Sequence, residues 1–523
     1  MSDTEEAGTR RRRSRVEGGR SERGEARQVL PPQRSKAQPR MQYKPVDGVS
    51  AEGLEAIHDT SMQILEEMGM DFLDPDARAL LAKAGARVEE GSNRVRFDRE
   101  MVMEHIAKAP SSFTFHAVDP AHNLHIGDDS IAFCAVASPP NVSGLDGPRR
   151  VGNRRDYQNL VRITQMLNCL HLMGGYPVEP TDIHPSIRHL DATFDAVTLC
   201  SKPLHAYSLG RQRNQDCLEL IRIARQVDHE TLEREPSVFT IINSSSPLRL
   251  DTPMLQGIME YSSRNQIVCL TPFTLAGAMA PVTLAGALAQ QNAEALAGLA
   301  FAQIVRPGAP VIYGGFTSNV DMQSGAPAFG TPEYMKSALV GGQLARRYNI
   351  PYRSSNVSAA NSLDAQSAYE SVFALWGAIM GGVNLVMHGA GWMEGGLHSS
   401  YEKMILDAEL IQMIGAFLEP IVVDEASLAM DAIREVGPGG HYFGAAHTQS
   451  RYRDAFHKPM LSDWRNFEAW EEAGSPQVPG KANKIAKDLL AAYEPLPMES
   501  SVREELESFV ARRKAEGGVP TDY

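Results

Sequence analysis

The stretch GGVNLVMHGAGWMEGG, Gly381 to Gly396, decides how the chain is read. A short apolar run (Val383, Leu385, Val386, Met387) stops at His388, and a glycine-broken loop then offers Trp392 and Glu394. Such a run closed by glycine is the pattern of a strand buried on both faces. An imidazole, an indole and a carboxylate at the end of one buried strand suit a small-molecule site. The competing reading is structural: Trp392 fills a core gap and His388 bonds to a neighbouring carbonyl.

Seven runs of the same kind precede it. Ile131–Val136 ends in Ala137-Ser138-Pro139-Pro140, and Leu170–Met173 ends at Gly174-Gly175-Tyr176. Leu204–Leu209 carries His205 and Tyr207, and Val238–Ile242 ends in Asn243 and three serines. Ile267–Leu270 leads into Thr271-Pro272-Phe273, and Val311–Tyr313 into Gly314-Gly315-Phe316-Thr317-Ser318-Asn319. Tyr352–Val357 is more polar, with Ser354, Ser355 and Asn356. Helical patterns of crossover length lie between the runs. Asn153–Asn168 has an apolar stripe through Tyr157, Leu160, Val161 and Leu167. Thr331-Pro332-Glu333 is a helix start with a capping hydroxyl, a first-turn proline and a carboxylate at the positive end. In Asp364–Met380 the residues Ala365, Ala368, Tyr369, Val372, Phe373, Trp376 and Ile379 recur at helical spacing, which reads Tyr369 and Trp376 as core. Eight runs about 30 to 45 residues apart, separated by helices, predict an α/β chain built as a (β/α)8 TIM barrel. An open doubly wound sheet is the rival, weakened by the lack of G-x-G-x-x-G and of a phosphate-binding loop.

Around the barrel, the pattern divides the 523 residues into a disordered basic tail (1–42), an N-terminal α+β layer (43–130), the barrel (131–420) and a helical C-terminal extension (421–523). The tail reading rests on composition: residues 1–40 hold eleven Lys/Arg against six Asp/Glu and no aromatic residue. That surplus of five leaves −18 on the remainder of a chain whose net charge is −13, which argues against a nucleic-acid-binding core. Arg10 to Arg13 lack the apolar segment of a twin-arginine export signal, and no run reaches the length of a membrane span. Five scattered cysteines fit a reducing cytoplasm and give no sign of a bound metal. In the extension, Trp464, Phe467 and Trp470 are expected to dock against the barrel.

Active sites of such barrels sit at the C-terminal ends of the strands. Those ends contribute Tyr176, Tyr207, Asn243, Phe273, Phe316, Asn319, Ser355, His388, Trp392 and Glu394, a mouth rich in aromatics, amides and hydroxyls and poor in Lys and Arg. The set disfavours phosphorylated substrates and favours a neutral or cationic ligand, because quaternary ammonium groups are held by aromatic faces and carboxylates.

Four segments carry a resemblance. They are Pro281–Phe316, Ser324–Tyr334 (SGAPAFGTPEY), Leu363–Ser371 (LDAQSAYES) and His388–Leu410 (HGAGWMEGGLHSSYEKMILDAEL). From about Ser50 onward the chain resembles the trimethylamine methyltransferase superfamily, a TIM-barrel family of corrinoid-dependent methyltransferases. The resemblance implies transfer of a methyl group to cobalt(I) of a corrinoid held by a separate protein, and a homo-oligomer. Founding members use pyrrolysine; the corresponding loop here, within about Ser354–Ser362, holds ordinary residues. Members without pyrrolysine are associated with quaternary amines, so glycine betaine is the expected substrate. Proline betaine, carnitine, a sulfonium analogue, or a catalytically silent betaine-binding role are the alternatives. Demethylating a quaternary ammonium expels a neutral tertiary amine and needs no protonation, so alignment and electrostatic placement suffice. On this reading Trp392, Phe316 and Tyr207 hold the ammonium head, with Tyr176 also in the substrate-binding set. His388 with Asn243 or Asn319 orients a carboxylate. Glu394 either complements the cation or orders its loop, and with His388 it is assigned to the catalytic group. Asp364, Gln366 and Glu370 read as helix cap and support.

Overall fold

A computed structural model describes residues 30–520 of the chain. Seven parallel strands form its central sheet: β1 (Ala132–Ala135), β2 (Leu204–His205), β3 (Val238–Ile242), β4 (Ile267–Leu270), β5 (Val311–Gly314), β6 (Tyr352–Ser355) and β7 (Leu385–Ala390). Their order is β1-β7-β6-β5-β4-β3-β2. Most of their residues are buried, as expected of strands covered on both sides. The run at Leu170–Met173 forms isolated parallel bridges with both edge strands, Leu172 with Cys134 of β1 and Met173 with Leu204 of β2. The His171 N–H donates to the Phe133 carbonyl and the His205 N–H to that of Met173. Its start is diverted elsewhere: the buried Lys202 ammonium takes the carbonyls of Thr164, Leu167 and Leu170.

Eight helices surround the sheet: α1 (Arg154–Met166), α2 (Pro185–Leu199), α3 (Arg211–Arg225), α4 (Thr252–Ser263), α5 (Leu284–Val305), α6 (Pro332–Tyr348), α7 (Ala365–Met380) and α8 (Tyr401–Phe417). Side-chain caps fix where many of them start; Asn153, Asp251, Thr331, Asp364 and Ser400 each accept a first-turn N–H. The interior is packed by alternate strand residues, among them Cys134, Phe239, Ile267, Cys269, Ile312, Leu385 and Met387. Phe115, Leu124 and Ile126, from the hairpin of Ser112–Phe115 with Leu124–Gly127, belong to the same cluster. The N-terminal layer packs on α5, where Ser61 bonds to the Ala289 carbonyl and Phe72 meets Phe301 edge-on.

Three expectations change. Arg10–Arg13 and most of the basic tail lie outside the described residues, but from Leu30 the chain is fastened to the body, so the expected boundary at residue 42 is too late. Backbone and side-chain bonds hold it: Gln33 reaches the Met166 carbonyl, the Arg34 N–H donates to Gln412, and Arg40 bridges Ser130. Second, the expected core stripe of α7 holds at Ile379, which is buried, but not at its aromatics. Tyr369 and Phe373 are exposed and Trp376 is half-buried, while Ser367, Ser371, Ala374, Leu375, Gly377 and Ala378 face inward. Against this face α6 packs close at Gly377, where a Cβ would stand 3.0 Å from Met335. Third, Trp464 and Phe467 are exposed and do not dock the extension. Met460 and Leu461 do, with Ala482, Ala486 and Leu489 of α9 (Val478–Ala492) and Val502, Leu506 and Val510 of α10 (Ser500–Ala515).

One buried ion pair ties α8 to the loop after β7. The Lys403 ammonium, fully buried, bonds to Asp407 and to Ser371, and the Asp407 carboxylate accepts the Gly391 N–H at 2.8 Å. Removing one partner strands the other charge away from water. Asp407→Ala is therefore expected to lower unfolding free energy by about 3–5 kcal/mol in urea titration, while the double variant Lys403→Met/Asp407→Leu recovers most of it.

Candidate active site

Strand register determines which side chains meet at the C-terminal end of the sheet. Phe239 is level with His205 and Ile267, Ile241 with Cys269, Cys269 with Ile312, and Gly314 with Arg353. Level neighbours share a face, so His205 joins the interior layer of Phe239, and Arg353 lies one step above Ile312 on the same face. β7 breaks the alternation: its pairing with β1 shifts register between Val386 and Ala390, and His388 within that irregularity has φ +54°. A bulge re-aims one side chain, and here it directs His388 into the cavity wall.

The cavity encloses about 280 Å³. Tyr207, Phe273, Phe316 and Trp392 supply its aromatic walls, and Ser138, His205, Asn243, Thr271, Arg353 and His388 its polar ones. The rings brace one another. Trp392 lies edge-on to Phe316 and Phe329 (6.3 and 5.1 Å between centroids), and His388 stacks on Trp392 at 5.3 Å. Gly396, at φ +97°, must be glycine here, since a Cβ would stand 2.6 Å from the indole.

The charge in this cavity is Arg353, which the sequence reading of a mouth poor in Lys and Arg missed. It is 2% exposed, its guanidinium lies 5.1 Å from the Phe316 centroid, and its one hydrogen bond is a long one to the Gly315 carbonyl. Among the described residues the Nε–H has no partner and no carboxylate forms an ion pair with the guanidinium. Burial lowers its pKa, but a guanidinium keeps its proton under such conditions. The surrounding titratable groups are neutral. Burial, then the charge of Arg353, holds the His388 imidazole well below its ordinary pKa. Its Nδ1 accepts the Ala137 N–H, which assigns the proton to Nε2. Burial puts His205 at about 4, with Nδ1 bonded to the Gly174 carbonyl. It pushes the Tyr207 phenol up to about 12, held between Ser138 and the Tyr176 N–H.

Of the residues singled out from sequence, His388, Trp392, Phe316, Tyr207 and Asn243 meet in this cavity. Tyr176 stands behind Tyr207, ring against ring at 4.6 Å, in a separate narrow crevice. Asn319 is turned away and accepts from Thr331, the cap of α6. Glu394 does not line the cavity either: Arg149 binds it in a two-pronged ion pair at 2.6 and 3.0 Å. Of the two roles expected for Glu394, this engagement is the geometry of a residue that orders its loop. Glu370 works similarly, accepting from the Ser358 hydroxyl and from the Ala359 and Ala360 N–H groups. The Glu394 N–H donates to Ala360 and the Gly395 N–H to Ser358, so the loops after β6 and β7 are laced together. Arg353 could not be read from its own strand, because Tyr352-Arg353-Ser354-Ser355 is polar on both faces.

Among the described residues no group of three His, Cys, Asp or Glu side chains is placed to hold a metal ion, and no helix is long and apolar enough to cross a membrane. Comparison with known proteins gives a consistent result. Residues 16–518 match the family model for trimethylamine methyltransferase (MTTB). The glycine betaine methyltransferase of Desulfitobacterium hafniense strain Y51 is 34% identical over 466 residues, 89% of this chain and 96% of that protein. The trimethylamine methyltransferase MttB of Desulfitobacterium hafniense strain DSM 10664 / DCB-2 is 26% identical over 477 residues, 90% of this chain and 95% of that protein. Among solved structures, the Methanosarcina barkeri monomethylamine methyltransferase MtmB aligns over 87% of this chain and 98% of its own, at 10% identity and TM-score 0.47. On the family match and the 34% relative, this chain belongs to the trimethylamine methyltransferase family.

Proposed function

We propose that this chain is a methyltransferase that takes a methyl group from a carboxylate-bearing quaternary amine, glycine betaine foremost, and passes it to a corrinoid carried by a partner protein. In this reading residues 131–420 are a (β/α)8 barrel whose second strand is the bridged run at Leu172–Met173. The observation that carries the substrate is Arg353. A buried guanidinium without a carboxylate partner is costly, and a substrate carboxylate at that end of the cavity compensates it. The aromatic walls of Tyr207, Phe273, Phe316 and Trp392 then receive the trimethylammonium end, which cannot donate hydrogen bonds. The neutral His388, with its proton on Nε2, donates to the carboxylate without adding charge. A zwitterion fits this arrangement; a bare cation such as choline does not, because the same Arg353 repels it.

A docked corrinoid supplies the nucleophile, cobalt(I). The C–N bond breaks with its electron pair going to nitrogen, so dimethylglycine leaves as a neutral amine and no residue has to protonate it. What the chain contributes is placement: carboxylate anchored at Arg353, methyl directed toward the open mouth, water excluded by the aromatic walls. The mouth suits an acceptor on another protein. Leu209, Val282, Met322 and Leu397, on loops after β2, β4, β5 and β7, are exposed apolar residues at that end.

Arg353→Met separates function from folding. Glycine betaine affinity, by calorimetric titration, is expected to fall at least about 100-fold, and choline affinity to stay the same or rise. Consumption of cobalt(I) with formation of dimethylglycine is lost in parallel, while the urea midpoint is unchanged or higher, because an unpaired buried charge has been removed. Unaltered betaine affinity in this variant would refute the assignment. His388 gives a pH test. Its folded pKa is depressed below 6.5, so its contribution to stability is complete above that value and is lost as pH falls toward the folded value. The urea midpoint is expected to drop between pH 7.5 and 5, and the drop to be smaller in His388→Gln; betaine affinity carries no His388 inflection near 6.5.

A further inference from the structure

Between Glu419 and Pro459 the chain makes an excursion from the end of α8 and returns at Met460, whose N–H is taken by Glu409 in the middle of the same helix. The segment has regular structure: helices at Glu425–Leu428, Met430–Val436 and Ala446–Arg451, the first with a capping box on Asp424. Yet from Ile421 to Pro459 only Ala432 and Ala445 are buried. Ile421 is 88% exposed, Phe443 81% and Phe456 82%, and Val422, Val423, Leu428, Met430, Ile433, Tyr442 and Tyr452 are exposed with them. Ordering a residue costs roughly 1–2 kcal/mol, which this segment cannot offset without covering its apolar side chains.

A second apolar surface lies beside its root. Four large residues of α7 that the sequence placed in the core are exposed or half-buried, Tyr369, Val372, Phe373 and Trp376, while Ile379 is buried. The edge of Trp376 meets Phe417 of α8 at 4.9 Å, and Phe417 stacks on Tyr43 at 4.8 Å, with Met413 exposed one turn away. We propose that these are the two halves of one self-association interface: the 419–459 excursion of one copy covers the α7–α8 face of a second, and the second reciprocates. Three observations favour another copy of this chain. Exposed aromatics that each cover ~150–250 Å² when buried, together with the aliphatic residues, bring the excursion to the ~800 Å² per partner of a stable interface. That is more than the few hundred Å² a monomer leaves open. An apolar surface of this composition belongs to a permanent association; partners that must leave every turnover use more polar ones. Finally, the excursion starts at the end of the barrel away from the site. Leu418, Glu419 and Pro420 share a cavity with Pro39 and Phe133, at the start of β1, and Glu419 pairs with Arg34. A methyl acceptor has to approach the opposite end.

The test uses the full chain and two exposed pairs, Tyr369→Glu/Phe373→Glu on the face and Phe443→Glu/Phe456→Glu on the excursion. Sedimentation equilibrium at micromolar concentration is expected to give a dimer or a multiple of it for the wild type. Each variant should raise the dissociation constant by at least about 100-fold, with thermal unfolding of the resulting monomer intact. Mixing the two variants restores association, since the intact excursion of one meets the intact face of the other. A monomeric wild type, or a face variant that associates like the wild type, overturns the proposal. So does a mixture that stays monomeric, or a wild type that associates only when a corrinoid protein is added.

Discussion

Arg353 sits where an apolar column ends. Beneath it the interior is Phe239, Ile267, Cys269, Ile312 and Met387, and above it are the rings of Phe316 and Trp392. A fixed positive charge at that boundary acts in a poorly screened environment. It bears on the state of its neighbours, because the imidazole of His388 is disfavoured as a cation both by burial and by the guanidinium. Among the described residues no acidic side chain lines the cavity, so the guanidinium there is not neutralised from within the chain. Chemistry that releases a neutral amine needs no general acid. Neutral walls and one anchored charge are sufficient for it.

The acidic residues of the family-like segments serve one layer further out. Glu370, Asp407 and Glu394 all lie close to the mouth in sequence, and each is occupied in holding a loop. Glu370 collects donors from Ser358 to Ala360, Asp407 takes the Gly391 N–H while paired with Lys403, and Glu394 is clamped by Arg149. The tolerance for error in such a site is small, since aligning a methyl group for displacement depends on where the aromatic walls stand. Trp392 occupies the loop between Gly391 and Gly396 that these carboxylates fix from both sides.

Strand positions were legible because burial on both faces leaves an unbroken apolar run: Val238–Ile242 and Ile267–Leu270 are found in the structure with the bounds read from sequence. The mouth followed from strand ends, which is why Tyr207, Phe316, His388 and Trp392 were found. What failed shares a cause. In β6 neither face is apolar, so alternation could not say that Arg353 points inward; only pairing with β5 does. Glu394 and Asn319 were placed by proximity in sequence; the partner of Glu394, Arg149, comes from the hairpin after β1, and Asn319 is taken by Thr331 at the far end of its own connection. Long-range ion pairs and register leave no periodic trace.

The outward placement of the α7 aromatics goes further than an error of reading. An amphipathic stripe records which face is covered, not what covers it. On α7 the inner face carries Ser367, Ser371, Ala374, Gly377 and Ala378 beside the buried Leu375 and Ile379, and α6 approaches closely at Gly377. The aromatic residues lie outside, and their hydrophobicity requires a second cover. The excursion that leaves α8 beside them has the opposite deficit, side chains without a core. The proposed association covers both surfaces at once. The excursion itself is rooted beside Pro39 and Phe133, at the start of β1, whereas the cavity opens at the C-terminal end of the sheet.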